Sequence, residues 1–435
     1  MTITLTPEQA RVLEIIESTR EHVFVTGRAG TGKSTLLQEF VRKTDKALVI
    51  AASTGVAALA VGGQTIHSLF RLPIGLLTNQ TRLNRLSEDA ELLLKRIDTV
   101  VIDEISMVRC DLLDAIDRRL RAVRGRRSEP FGGAQVVMFG DPYQLPPVLR
   151  EGPEKQYLMD NYRSPWFFDS KVWETAMPRV VELTDVLRQD EAEFRDILDR
   201  MRYGNTTRDD GEALNAVGSR LPHPEGLITL AATNAKADAI NSRELNNLPG
   251  KEKIANANID GEFGNSPPAE AELRLKPGAR VMFLRNDSPA DGSRWVNGTL
   301  GTVVKIDGKV HVAIDGDVDN IVEVMPVLWE KIGYHYDPVD NTVESEVLAT
   351  FEQFPLRLAW AVTIHKSQGQ TLDAAVIDLG GGAFANGQTY VAFSRIRTLE
   401  GVYLSRELRA SDVQVDARVA DFMKTAKDND FLDFV

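Results

Sequence analysis

Short apolar runs alternate with amphipathic stretches through the first half of the chain. The candidate strands are His22–Thr26, Ala47–Ser53, Thr99–Asp103 and Gln135–Gly140. Between the first two, Leu36, Leu37, Phe40 and Val41 recur at helical spacing. This alternation predicts a parallel sheet covered by helices. Residues Phe70–Lys95 break the rhythm with loop-type residues and then a charged helical run, as an insertion does. A second α/β pattern begins near Val180, with strands Val180–Leu183 and Leu227–Ala232 flanking a helix around Glu191–Tyr203. From about Gly278 the period becomes two. Ala279–Arg285, Gly298–Ile306 and Lys309–Ile314 are short β-type runs broken by the turn signals Asn297-Gly298 and Asp307-Gly308. The expectation is a small β-barrel inserted into the second α/β domain, which resumes near Phe354.

A length of 435 residues implies two or three domains, and 43% hydrophobic residues supply their cores. No apolar run has the length of a membrane span, and the N-terminus lacks a basic start and an apolar core, so a cytoplasmic protein with no membrane partner is expected. The single cysteine, Cys110, excludes internal disulfides and cysteine-rich metal sites. A net charge of −12 argues against coating duplex DNA by bulk electrostatics, though a narrow track inside an acidic body remains compatible with it. One basic run, Arg118-Arg119-Leu120-Arg121 continuing to Arg124, Arg126 and Arg127, reads first as a solvated helix face and second as a DNA contact.

The chemistry begins at Gly27-Arg28-Ala29-Gly30-Thr31-Gly32-Lys33-Ser34, a G-x-x-x-x-G-K-[ST] phosphate-binding loop with a strand before it and a helix after it. Gly27, Ala29, Gly30, Thr31, Gly32 and Thr35 offer backbone around the phosphates, aided by the helix N-terminus. Lys33 is expected to reach the β- and γ-phosphates and Ser34 to ligate Mg²⁺. The strand Thr99–Asp103 ends in two carboxylates, of which Asp103 would hold Mg²⁺ and Glu104 would polarise the attacking water. Thr6-Pro7-Glu8-Gln9 forms a helix capping box, which accounts for Gln9 structurally; adenine recognition is its alternative reading.

Taken in order, these segments resemble the Pif-type (Pif/RecD-like) helicases of superfamily 1. Thr6–Gln9 resembles the Q motif, Gly27–Thr35 motif I, and Ala51–Ala58 with Gly63–Phe70 motif Ia and its extension. Asp103–Met107 is similar to motif II, and Phe131-Gly132-Gly133 leading into Gly140–Val148 to motif III. Leu187-Arg188-Gln189 resembles motif IV, Thr363–Thr371 motif V and Tyr390–Arg395 motif VI. Arg28 and Phe393 depart from the residues common at their positions, and neither position supplies chemistry.

The resemblance implies two RecA-like domains, residues 1–178 and 179–435, with parallel sheets. A wedge at about 70–95 would interrupt the first, and an SH3-like barrel at about 277–345 the second. It implies a monomeric, ATP- and Mg²⁺-dependent motor that moves 5′→3′ on single-stranded DNA and opens forked or tailed duplexes. Gln144 would sense the γ-phosphate, Arg188 and Arg395 would act as arginine fingers, and Gln368 and Gly369 would line the nucleotide. Ser53, Thr54, Thr65, His67, Asn234, Thr363 and His365 would contact DNA phosphates without reading sequence. Trp295 reads as packing beside a hairpin ahead of base stacking. The rivals are a translocase or RecD-like motor subunit that does not unwind alone, and a nucleotide switch or ring ATPase whose arginine comes from a neighbour.

Overall fold

The computed structural model describes residues 5–149, 151–185, 191–221, 223–224, 226–263, 267–287, 294–315, 320–337 and 342–428. The chain forms two compact units. The first comprises Met1–Leu187, Lys331–Leu348 and Asp416–Val435, and the second Arg188–Glu330 and Ala349–Val415.

The first unit runs α1 (Pro7–Ser18), β1 (Val23–Gly27), α2 (Lys33–Lys43), β2 (Leu48–Ala52), α3 (Gly55–Ala60), β3 (Gln64–Thr65), α4 (Ile66–Leu69), α5 (Glu88–Arg96), β4 (Thr99–Asp103), α6 (Cys110–Arg124), β5 (Gln135–Phe139), α7 (Pro153–Asn161), α8 (Lys171–Ala176) and β6 (Arg179–Leu183). Its strands form one parallel sheet in the order β3-β2-β4-β5-β1-β6. Val23, Val25, Val101, Val137 and Phe139 pack with Val12, Leu13 and Ile16 of α1 and with Leu36, Leu37 and Phe40 of α2. β1 is buried at every position, as a strand covered on both faces is. Val41 packs at the edge of this core.

The strand near Val180 belongs here and not to the second domain as expected. β6 pairs in parallel with β1 from Val23↔Arg179 to Gly27↔Leu183. Its apolar pattern suits either sheet, and the hydrogen-bond register decides.

The second unit contributes α9 (Ala192–Arg202), α10 (Arg208–Gly218), β7 (Ile228–Ala231) and α11 (Asn234–Asn247). Among the described residues ten strands follow along the chain, β8 (Lys253–Asn256), β9 (Asn258–Asp260), β10 (Glu272–Leu275), β11 (Arg280–Phe283), β12 (Leu300–Ile306), β13 (Val310–Ile314), β14 (Ile321–Val324), β15 (Val327–Asp337), β16 (Thr342–Gln353) and β17 (Leu356–Leu358), of which residues 331–337 of β15 and 342–348 of β16 belong to the first unit. The chain then returns to α/β with β18 (Ala361–Thr363), β19 (Ala375–Asp378), α12 (Gln388–Phe393) and β20 (Val402–Leu404), and ends in α13 (Ala417–Asp428). The second parallel sheet has the order β18-β7-β19-β20.

The β insertion is antiparallel and wider than its expected limits. β8 already pairs with β10, and β17 still pairs with β11, so the α/β domain resumes at Ala361 rather than near Phe354. The five-stranded sheet β14-β13-β12-β11-β17 turns at Asp307-Gly308, where Gly308 has φ +95°. Trp295 is buried in this insertion's core and stacked on Phe283 at 4.5 Å, which is the packing reading.

Candidate nucleotide and DNA sites

The nucleotide elements of the first unit gather at the C-terminal edge of its sheet. Gly27 ends β1 at φ +148°, and a Cβ there would lie 2.6 Å from the Leu183 carbonyl oxygen of β6. Only glycine fits both the conformation and that approach. Gly32, at φ 77°, caps α2 without a side chain, so the helix N-terminus opens directly onto the loop carrying Ala29, Gly30 and Thr31. The Lys33 ammonium donates to the carbonyls of Gly27 at 2.7 Å and Arg28 at 2.9 Å, which holds it over the loop. Ser34 is exposed at the first turn of α2, followed by half-buried Thr35.

β4 delivers Asp103 beside Lys33. Burial pushes the Asp103 carboxyl above its usual range, while the Glu104 backbone N–H and the Lys33 charge pull against that. Glu104 follows with φ 50° and ψ 47°, the left-handed region, which is strained for a residue with a β-carbon. Gln144 is buried at the end of the β5 loop, its amide 3.4 Å from Asp141 Oδ2.

Gln9 does more than close a capping box. Its Oε1 accepts from the Thr6 backbone at 3.0 Å, and its Nε2 donates to the Thr31 carbonyl at 3.0 Å, tying α1 to the phosphate loop.

In the same unit Thr54 caps α3 by accepting from Ala57 N, and Thr65 caps α4 by accepting from Ser68 N. Among the described residues the buried Ser53 hydroxyl has no hydrogen-bond partner. His67 on α4 is held below its ordinary pKa, by burial first and then by the Arg109 charge.

The second unit carries the other candidates. Thr363 ends β18 and accepts from Lys366 N at 3.4 Å; His365, lowered by burial, lies in the turn that continues through Gln368 to Gly369 at φ +78°. Asn234 is exposed at the first position of α11, but the cap is Thr233, which accepts from Lys236 N. Arg395 is buried just past α12, donating to the Val391 carbonyl at 3.1 Å and the Ser394 hydroxyl at 2.8 Å. Arg188 lies outside the described residues.

A family model described as PIF1-like helicase matches residues 4–212. The chain is 35% identical to the ATP-dependent DNA helicase Pif1 of Bdellovibrio bacteriovorus, over 97% of this chain and 92% of that protein. It is 34% identical to human ATP-dependent DNA helicase PIF1 over 97% of its own length, and spans 64% of the human protein. Bacteroides Pif1 in complex with ADP-AlF4 superposes with a TM-score of 0.90 at 37% identity, covering 98% of both chains. The chain belongs to the Pif1-like family of ATP-dependent DNA helicases.

In this Pif1-like helicase the arginines on α6 are engaged within the protein, whereas Arg126 and Arg127, past the end of the helix, are exposed. Arg118, Arg119 and Arg124 donate to backbone carbonyls, Arg121 pairs with Asp117, and Arg126 with Glu129. Nothing in the charge pattern distinguishes carbonyl acceptors from water or phosphate. Sequence reasoning also missed Thr233, although a threonine directly before a helix is a legible cap. Among the described residues no helix is long and apolar enough to cross a membrane.

Proposed function

We propose that this Pif1-like helicase translocates 5′→3′ on single-stranded DNA and separates duplex ahead of it. The observation that carries the proposal is the placement of Lys33, Asp103 and Glu104 at one sheet edge, with Asp103 buried within electrostatic reach of Lys33. Bacteroides Pif1 has been solved bound to single-stranded DNA, and another similar structure is described as a basis for unwinding at forked duplex DNA by two coordinating Pif1 helicases, which supports a tailed or forked partner here. Polarity comes from the resemblance to the 5′→3′ branch.

In this reading the α2 N-terminus and loop amides bind the phosphates, and Lys33 exchanges its two carbonyl partners for β- and γ-phosphate oxygens. Gln9 holds the loop through Thr31, leaving part of its amide for adenine. Ser34 and Asp103 would hold Mg²⁺ with one hydroxyl and one carboxylate, hard oxygen donors of the kind that ion takes. Bound there, Mg²⁺ would neutralise phosphate charge.

Glu104 orients the attacking water and Gln144 senses the γ-phosphate. Arg395 and Arg188 supply charge to the transition state, and Gln368 and Gly369 touch the nucleotide. Ser53, Thr54, Thr65, His67, Asn234, Thr363 and His365 hold DNA phosphates as neutral groups, consistent with the lowered histidine pKa values. One chain suffices for turnover.

The test is ATP hydrolysis with and without a single-stranded oligonucleotide, followed by unwinding of duplexes with a 5′ or a 3′ tail. Stimulation with unwinding from the 5′ tail alone is expected, and Lys33→Ala and Glu104→Gln are expected to abolish turnover while DNA binding persists. Unwinding from the 3′ tail would overturn the polarity, and stimulation without unwinding would favour a translocase. Wild-type turnover in either variant would refute the assigned engine.

A further inference from the structure

Residues 70–87 contain no helix or strand, yet their backbone is pinned along its length by one helix. Only Phe70, Leu72 and Leu77 of this segment are buried, and the carbonyls of its irregular backbone, which no ladder satisfies, need other partners. Here α6 supplies them. The Arg119 guanidinium donates to the carbonyls of Phe70 at 3.0 Å, Arg71 at 3.2 Å and Asn84 at 2.6 Å, joining the two limbs of the segment. Arg118 donates to Thr78 at 2.9 Å, Asn79 at 2.7 Å and Thr81 at 3.0 Å. At the start of α6, Arg109 holds the Gly75 carbonyl at 2.8 Å, and Asp111 accepts from the Leu77 backbone at 2.9 Å.

Arg119 is 9% exposed, and every hydrogen bond of its guanidinium goes to a carbonyl. A planar fork of donors that keeps its charge suits this role, and charge-assisted bonds to carbonyls are stronger than neutral ones. Backbone conformation gives a second, independent sign. Arg71 sits at φ 49°, and Gly75 at φ 109°. A left-handed arginine persists only where its surroundings over-determine it, and the carbonyls of both residues are gripped from α6. Between these two pinned residues stands Ile74, 81% exposed, the most exposed of the large apolar side chains among the described residues. A mobile loop cannot hold such a side chain against a base pair; a clamped one can.

We propose that Arg118 and Arg119 are positioning residues for strand separation: they fix residues 70–87 so that Ile74 stands rigidly as the apolar edge that meets the duplex. This rests on reading the segment as the wedge of the helicase proposed above. In this reading the arginines act through the segment they hold, not on DNA or nucleotide.

The test uses the full chain with Arg118→Met, Arg119→Met and Ile74→Glu. Methionine keeps much of the apolar stem and removes the donors. Hydrogen exchange over residues 70–87 is read first, and is expected to rise by about tenfold or more in the arginine variants while β1 to β5 stay protected. Unwinding of a 5′-tailed duplex should fall by about tenfold in all three variants. DNA-stimulated ATP hydrolysis and displacement of streptavidin from biotinylated single strands should stay within about twofold.

Unchanged exchange would overturn the clamp. Raised exchange with unchanged unwinding in the arginine variants, while Ile74→Glu still impairs it, would overturn the positioning role and leave the wedge standing. Normal unwinding in all three variants would overturn the wedge reading itself. If Arg119→Met does not fold, Arg118→Met, whose side chain is only half-buried, carries the same test.

Discussion

His22 shows how a residue outside any motif bears on the engine. It precedes β1, its Nδ1 accepts from Val136 N at 3.1 Å, and its ring meets Phe131 edge-on at 5.1 Å. Burial lowers its pKa from 6.5 to about 4. The unfolded chain therefore binds more protons between those values, so the stability that neutral His22 contributes is complete above pH 6.5 and is lost as pH falls through 4. Wild type should lose roughly 1–2 kcal/mol between pH 7 and pH 5 from this site. His22→Asn keeps an acceptor without the titration, so its Tm should fall less over the same interval. An equal fall in both proteins would remove His22 from the acid response. Glu104 makes the complementary point: its left-handed backbone carries a conformational cost, and that cost falls on the proposed catalytic carboxylate.

Among elements, α13 is the least expected. The chain leaves the second unit and its last helix packs in the first, where Phe422 stacks on Phe168 at 4.0 Å with parallel rings and lies edge-on to Trp173 at 5.5 Å. Arg418 pairs with Asp169 at 2.5 and 2.8 Å, and Asp416 accepts from Trp166 Nε1 at 2.9 Å. Phe422→Ala should weaken the docking by about 3–5 kcal/mol, the range for a buried phenylalanine. Amide protection should then collapse in residues 417–426 and hold in β7 and β19. Retained protection in α13 would assign the docking to the ion pair and the Trp166 bond instead.

For the molecule as a whole, a net charge of −12 sits with DNA candidates that are neutral and small. A grip of that kind uses local hydrogen bonds to phosphates, not bulk attraction. If Arg395 or Arg188 serves its own chain, specific ATPase activity should be constant over a roughly hundredfold range of protein concentration, since no second subunit completes the site. A steep rise with concentration would point to an arginine supplied by a neighbour.

The sequence alone determined the phosphate loop, the strand ending in Asp103 and Glu104, the alternating α/β pattern, and a second region of period two. Each is written in a few consecutive residues, where glycine placement and hydrophobic spacing carry the structure directly. Tertiary structure decided what depends on partners far along the chain. It placed β6 beside β1, where Gly27 leaves room for the Leu183 carbonyl, and carried α13 into the first unit. It also turned the arginines of α6 from a charge run into carbonyl clamps. An apolar strand or a row of arginines has the same pattern whichever partner it meets, so only the fold could choose.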